Sequence, residues 1–204
     1  MGQAMDHESL WDKRLQIKTT GRDEVNADQY RFPYEPTPYS VLERLEGSGL
    51  FSGKNLVVDY GCGKGRVGFF LSNRTGANAI GIEYDERIYQ VARENHQTAL
   101  RAMATFVQAR AETYPVPPEV DRCYFFNPFS VEILRKVMAK ILTSYYEAPR
   151  EILLFFYYPS AEYLSYLMTV DELEFYDEIP CGDLFEEKSA RERIVIFSLP
   201  GHLV

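Results

Sequence analysis

The stretch Val57-Val58-Asp59-Tyr60-Gly61-Cys62-Gly63-Lys64-Gly65-Arg66 constrains the fold more than any other part of the chain. A short apolar run ends in an acid and three alternating glycines, and a helical pattern begins at once, from about residue 66 to 73. Strand, glycine turn and helix in that order let a ligand lie on bare backbone, between the carboxyl end of the strand and the amino end of the helix. One glycine would serve a plain tight turn, so three point to close approach by a ligand. A second acid, Glu83, ends the next apolar run 20 residues after Gly63. That spacing sets a carboxylate where ribose hydroxyls lie in a nucleoside-binding strand-helix-strand unit.

Strands and helices alternate around this unit. Strands are expected over 55–59, 77–83, 105–108, 122–126 and 152–158. Asp85 is placed to cap a helix in which Ile88, Val91, Ala92 and Leu100 recur at helical spacing. A second helix is expected over 131–146, with Ile133, Leu134, Val137, Ile141 and Leu142 on one side, and a third over 160–169. Thr37 can cap an earlier helix with Pro38 at its first position and Gly47 at its end. Residues 173–179 and 193–199 read as strands with no room for a helix between them. The alternation predicts an α/β fold: a mostly parallel sheet covered on both faces, ending in an antiparallel β-hairpin. Residues 37–204 are expected to form that domain, and residues 1–36, with one weak helical pattern at Leu10, Trp11 and Leu15, an extension of it.

The net charge of −8 argues against a protein that coats nucleic acid, because such binding requires neutralised phosphates. Most of the acidity is local: residues 171–204 hold 9 acidic and 3 basic residues. Cys62, Cys123 and Cys181 form no CxxC pair, so neither a metal cluster nor a disulfide framework is signalled. The polar start MGQAMDHES lacks an apolar signal core, and the longest apolar run, 152–159, is too short to span a membrane. A cytoplasmic location and no membrane partner are expected.

Two ligand classes compete for the glycine loop. Gly63-Lys64-Gly65-Arg66-Val67-Gly68 formally matches GxGxxG, the NAD(P) fingerprint of oxidoreductases. Asp59 decides against it, because a carboxylate two residues before the first glycine would repel a pyrophosphate. It suits a ligand with an amino or sulfonium group, and S-adenosylmethionine carries both, with a ribose for Glu83. At DYGCGKG, which matches D-x-G-x-G-x-G, and at GIEYDERIYQVARENHQTAL, which matches the following strand and helix, the chain resembles the class I S-adenosylmethionine-dependent methyltransferases. The resemblance covers about residues 37–200. It implies a Rossmann-like, seven-stranded sheet and methyl transfer from S-adenosyl-L-methionine to an acceptor that could be protein, nucleic acid or a small molecule. A catalytically idle cofactor-binding partner subunit is the other alternative.

The resemblance also implies roles. Gly61 and Gly63, with Tyr60 and Cys62 beside them, would admit the methionine part, and Asp59 would meet its amino end. Glu83 would grip the ribose, and Tyr84 would flank the adenine. Where many members carry an acid for the adenine amino group, this chain has Arg110, so Glu112 or the backbone near Ala111 would take that part. Asn127-Pro128-Phe129 is similar to the [D/N/S]-P-P-[Y/F/W] motif of enzymes that methylate amino groups conjugated to planar systems, although Phe129 stands at the second proline. These three would orient the acceptor, and Asn127 would also contact the cofactor. Segments before the first motif often cover the cofactor, which makes Tyr34, Thr37 and Tyr39 lid candidates. Tyr157 and Tyr158 could line the acceptor pocket. Lys64 and Arg66 read as exposed charges at a helix start. His7, His96 and His202 form no cluster, and no catalytic base can be named.

Overall fold

The fold is described by a computed structural model, covering residues 6–100, 103–187 and 189–201. Its elements are α1 (His7–Leu15), α2 (Tyr39–Gly47), β1 (Leu56–Tyr60), α3 (Arg66–Thr75), β2 (Asn78–Glu83), α4 (Glu86–Thr98) and β3 (Ala104–Gln108). There follow β4 (Arg122–Phe125), α5 (Val131–Glu147), β5 (Ile152–Tyr157), α6 (Ala161–Leu167), β6 (Glu174–Pro180) and β7 (Arg193–Leu199). The seven strands form one sheet in the order β3-β2-β1-β4-β5-β7-β6. β7 alone runs against the others, pairing antiparallel with both β5 and β6. This is the Rossmann-like, mostly parallel sheet expected, with the terminal hairpin at one edge. Among the described residues of the hairpin connection, the one helical feature is a single turn of 3-10 helix, Gly182–Leu184.

Burial on both faces explains the unbroken apolar run of β5 and the apolar runs of β1 and β4, broken only by Asp59 and by Arg122 at the strand start. Successive side chains point to opposite faces. Val57, Tyr124 and Phe155 join one core with Trp11, Tyr39, Phe69 and Phe70. Val58, Phe125 and Phe156 join the other with Ile133, Val137 and Ile141. α1 belongs to the first of these cores: Trp11 stacks on Tyr39 with ring centroids 5.7 Å apart and meets Phe70 edge-on at 5.0 Å. Asp85 caps α4 by accepting from the Arg87 N–H. The cap expected at Thr37 does not form. Pro38 stands at that position, and the Thr37 hydroxyl instead pairs with the Tyr124 hydroxyl at 3.0 Å.

The chain order of the strands reverses at β1 and β4, so their carboxyl ends open a crevice at the switch point. Residues 18–37 cross that end of the sheet as a strap. Asp23 and Tyr34 exchange two backbone hydrogen bonds, which folds the strap on itself. Its tip pairs with the loop after β4: the Phe32 N–H donates to Pro128, and Ser130 N–H to Tyr30.

Candidate functional site

The glycine loop fills the turn between β1 and α3. Gly61 (φ 74°), Gly63 (φ 56°) and Gly65 (φ 90°) all adopt the left-handed conformation that other residues resist. At Gly61 a side chain is also excluded by space, since a Cβ would come within 2.5 Å of the Pro128 Cβ. At Gly63 a Cβ would overlap the ring of Tyr34. The Gly61 and Cys62 N–H groups donate to the Ile82 carbonyl, which holds the loop against β2.

Asp59, at the end of β1, is 3% exposed, and its Oδ2 has no hydrogen-bond partner. Burial, reinforced by the neighbouring charge of Glu83, pushes its carboxyl up to about 8. Glu83 accepts from the Gly63 N–H at 2.9 Å and the Asp85 N–H at 2.8 Å. Burial raises its pKa, and these backbone donors oppose the rise. Each Glu83 oxygen keeps a lone pair for a further donor.

Tyr84 is 43% exposed at the adjoining strand end. The Arg31 guanidinium of the strap lies over its ring at 4.3 Å, and Arg110 lies 5.5 Å from the ring centre. Arg31 also pairs with Glu112 at 2.8 Å, beside Ala111. Asn26 donates to Asp85 at 2.8 Å. The strap is therefore latched to the carboxyl ends of β2 and β3 as well as β4. Beneath it lies a cavity of about 100 Å³, whose wall includes Asp59, Gly61, Cys62, Glu83, Tyr84 and Thr37. Tyr34, Ala111, Glu112, Pro128 and Phe129 also line it.

Gly63, buried under the Tyr34 ring, is not part of this wall, and three further residues expected here lie elsewhere. Tyr39 is wholly buried in the core and donates to Asp12 at 2.7 Å. The Tyr60 ring turns to the opposite face of the sheet and stacks on Phe125 at 4.8 Å. Asn127 faces a second, larger cavity of about 440 Å³, which also takes in Tyr157 and Tyr158. Asn127 (φ 41°) and Tyr158 (φ 50°) are left-handed without being glycine, and the Asn127 Oδ1 is buried without a donor. Such strain gathers where surrounding structure imposes it, often at functional sites.

Arg66 corrects the sequence reading most sharply. It is 2% exposed, not a solvated charge. Its Nε donates to the Thr19 hydroxyl at 2.7 Å and its Nη1 to the Thr37 carbonyl at 3.1 Å, with Glu8 paired to the same Nη1. One side chain thus grips both ends of the strap. Lys64 is half-buried, donating to the Thr20 carbonyl at 3.1 Å. His96 is exposed, and His202 lies outside the described residues.

The residues fit S-adenosylmethionine in chemistry. An orphaned carboxylate awaits a cationic group, a cradle excludes Cβ atoms, and Glu83 has acceptor capacity for hydroxyls. Residues 57–148 match the family model of a methyltransferase domain. No curated protein sequence matches the chain significantly. Among solved structures, an RNA methyltransferase from Salinibacter ruber in complex with S-adenosyl-L-homocysteine aligns with a TM-score of 0.58 and 19% identity, over 83% of this chain and 97% of its own. A human methyltransferase 10 domain containing protein gives 0.61 and 15%, over 96% and 94%. Precorrin-6y C5,15-methyltransferase from Geobacter metallireducens gives 0.58 and 15%, over 80% and 88%. At these identities the likenesses speak for the fold. Residues 57–148 thus carry a methyltransferase-domain match, and the acid and three glycines at the end of β1 and the shared fold are consistent with a class I S-adenosylmethionine-dependent methyltransferase.

Proposed function

We propose that the cavity under the strap binds S-adenosylmethionine and that the larger cavity beyond Asn127 receives the methyl acceptor. The unpartnered Asp59 carboxylate carries this reading, since a buried acid without a donor is costly unless a ligand supplies one. Asp59 pairs with the amino end of the cofactor, Gly61 and Gly63 give it backbone to lie on, and Glu83 accepts from the ribose hydroxyls. When bound, the cofactor supplies an activated methyl on a sulfonium that leaves as a neutral thioether. Asn127, held in a strained conformation, offers its free Oδ1 to a hydrogen on the acceptor and orients the attacking atom. Orientation dominates such a displacement, which needs an in-line nucleophile at near-attack distance.

Residues 18–37 act as the lid. A cavity of about 100 Å³ is smaller than the roughly 300–1,000 Å³ of ordinary ligand sites, so the strap shifts to admit the cofactor. Tyr34, packed on Gly63, and Arg31, packed on Tyr84, are the parts that give way. In place they exclude water. No helix among the described residues is long and apolar enough to cross a membrane.

Incubation with tritiated-methyl cofactor and the protein, RNA and metabolite fractions of the source cell tests the assignment. One fraction is expected to take up label. Asn127→Ala is expected to lower uptake at least tenfold with unchanged S-adenosylhomocysteine affinity, and Asn127→Gly, which relieves the positive φ, to lower it equally. Failure to label any fraction by folded, cofactor-binding protein would instead favour a catalytically idle partner subunit. Undiminished uptake in both variants would remove Asn127 from the site.

A further inference from the structure

The acceptor side of the site carries a chemical preference of its own. Phe126 and Tyr157, at the ends of adjacent strands, stand with ring centroids 4.6 Å apart, and Tyr158, Phe32 and Phe185 extend the aromatic wall of the 440 Å³ cavity. Two carboxylates, Glu35 and Glu192, share that wall. Phe32, Pro33, Glu35 and Phe126 border this cavity and the smaller one alike, so a ligand here adjoins the proposed methyl donor.

The polar groups that face the cavity are unequal in what they offer. Arg22, a cation at its rim, is already engaged, with Glu24 at 2.9 Å and Glu35 at 3.8 Å. The Tyr157 hydroxyl donates to Glu192 at 2.6 Å. What remains is acceptor capacity: the second lone pairs of Glu192 and the outer oxygen of Glu35 at the surface of the cavity, and the donorless Asn127 Oδ1 buried just behind it. Aromatic faces add to this, since their quadrupole attracts cations. Tyr158 shows that attraction within the chain itself, with the Arg191 guanidinium 4.2 Å from its ring centre. Among the described residues that line the cavity the one cation, Arg22, is already paired, Arg191 is held on the Tyr158 ring, and the adjoining hairpin segment, residues 171–204, is net −6.

Resting on the cofactor assignment above, we infer that the acceptor is a primary aliphatic amine, bound as its ammonium between the aromatic wall and the carboxylates of Glu192 and Glu35. The amine arrives charged and loses one proton to solvent. Its lone pair then forms a bond to the methyl carbon as the carbon–sulfur bond breaks, and the electron pair of that bond stays on sulfur. The nitrogen ends as a methylammonium, which keeps the positive charge the sulfonium gave up. Asn127 accepts one N–H of the amine and so turns the lone pair toward the methyl.

The inference is tested by NMR titration of the full chain, saturated with S-adenosylhomocysteine, at physiological salt. The probes are n-butylammonium, its uncharged analogue n-butanol, Nα-acetyl-lysine methylamide and hexa-adenylate RNA. Both ammonium probes are expected to bind at least tenfold more tightly than n-butanol, with hexa-adenylate not binding. Whichever ammonium binds more tightly tells a free amine from a peptide-borne lysine. Glu192→Gln is expected to weaken ammonium binding at least fivefold, with Glu35→Gln as a second, more exposed variant should the first disturb the fold. Equal binding of alcohol and ammonium, preference for the RNA, or no loss in either variant would overturn the inference. Saturation with S-adenosylhomocysteine separates the two readings: a chain that binds it but shows no ammonium preference loses only the acceptor assignment.

Discussion

Arg66→Met lowers the melting temperature of the ligand-free protein by about 10 °C. The guanidinium is buried over the Tyr39 ring at 4.2 Å, pairs with Glu8 and lies 3.8 Å from the Asp12 carboxylate. Removing one partner of a buried ion pair costs about 3–5 kcal/mol, and the lower end applies here, because Asp12 stays buried without its cation while Glu8, 36% exposed, can turn to water. For a chain of this length each kcal/mol is worth about 2–4 °C. Asp12 limits the damage only in part, since the Thr19 N–H, Thr19 hydroxyl and Tyr39 hydroxyl all donate to it. The loss has a local signature too. Thr19 and Thr37, the two ends of the strap, lose their common anchor, so limited proteolysis cuts within residues 18–37 sooner than in the parent. Arg66→Lys recovers less than half of the stability, because a single ammonium cannot reach the hydroxyl, the carbonyl and the carboxylate together. A change below about 2 °C in Arg66→Met would contradict the role assigned to this residue.

Asp59→Asn separates stability from binding, raising one and abolishing much of the other. The folded chain holds the Asp59 carboxyl at about 8, against about 3.9 for an exposed aspartate. Between those values the folded state keeps a proton that the unfolded state has released. Stability from this group is therefore complete below about pH 4 and is lost as pH rises toward 8. Asparagine carries no such proton, so the variant melts about 5 °C or more above the parent at pH 8, and the gap closes toward pH 5. In the same variant S-adenosylhomocysteine affinity falls at least tenfold, about 1.4 kcal/mol, because the ammonium end loses its counter-charge. Thermal melts across that pH range, paired with calorimetric titration, check both halves. Equal melting at pH 8 together with unchanged affinity would remove Asp59 from the site.

The parts of this protein that are legible in its sequence are those fixed by nearby residues. The glycine loop is read from Asp59 to Gly65 because each positive φ demands glycine at its own position. Asp85 is read as a cap because its acceptor reaches only two residues along the chain. The terminal hairpin is read because two strands leave no length for a helix between them. What escapes the sequence depends on partners far along the chain. Arg66 looks like an exposed charge until α1 brings Glu8 and Asp12 to it, more than 50 residues away in sequence. Thr37 looks like a helix cap until Tyr124 claims its hydroxyl. Tyr39 stands in the same aromatic, proline-rich stretch as Tyr34, yet Trp11 and Phe70 take it into the core while Tyr34 covers Gly63. Arg31 gives no local sign that it will pair with Glu112 and lie on Tyr84. The division of the site into two cavities is likewise a product of the strap, whose path no single residue dictates.

The central claim is that the loop after β1 holds S-adenosylmethionine. Isothermal titration of the intact, folded chain with S-adenosylhomocysteine and, separately, with NAD tests it most directly. Binding of one S-adenosylhomocysteine per chain at micromolar affinity, with no heat from NAD, is the result predicted. Binding of NAD without S-adenosylhomocysteine would contradict it.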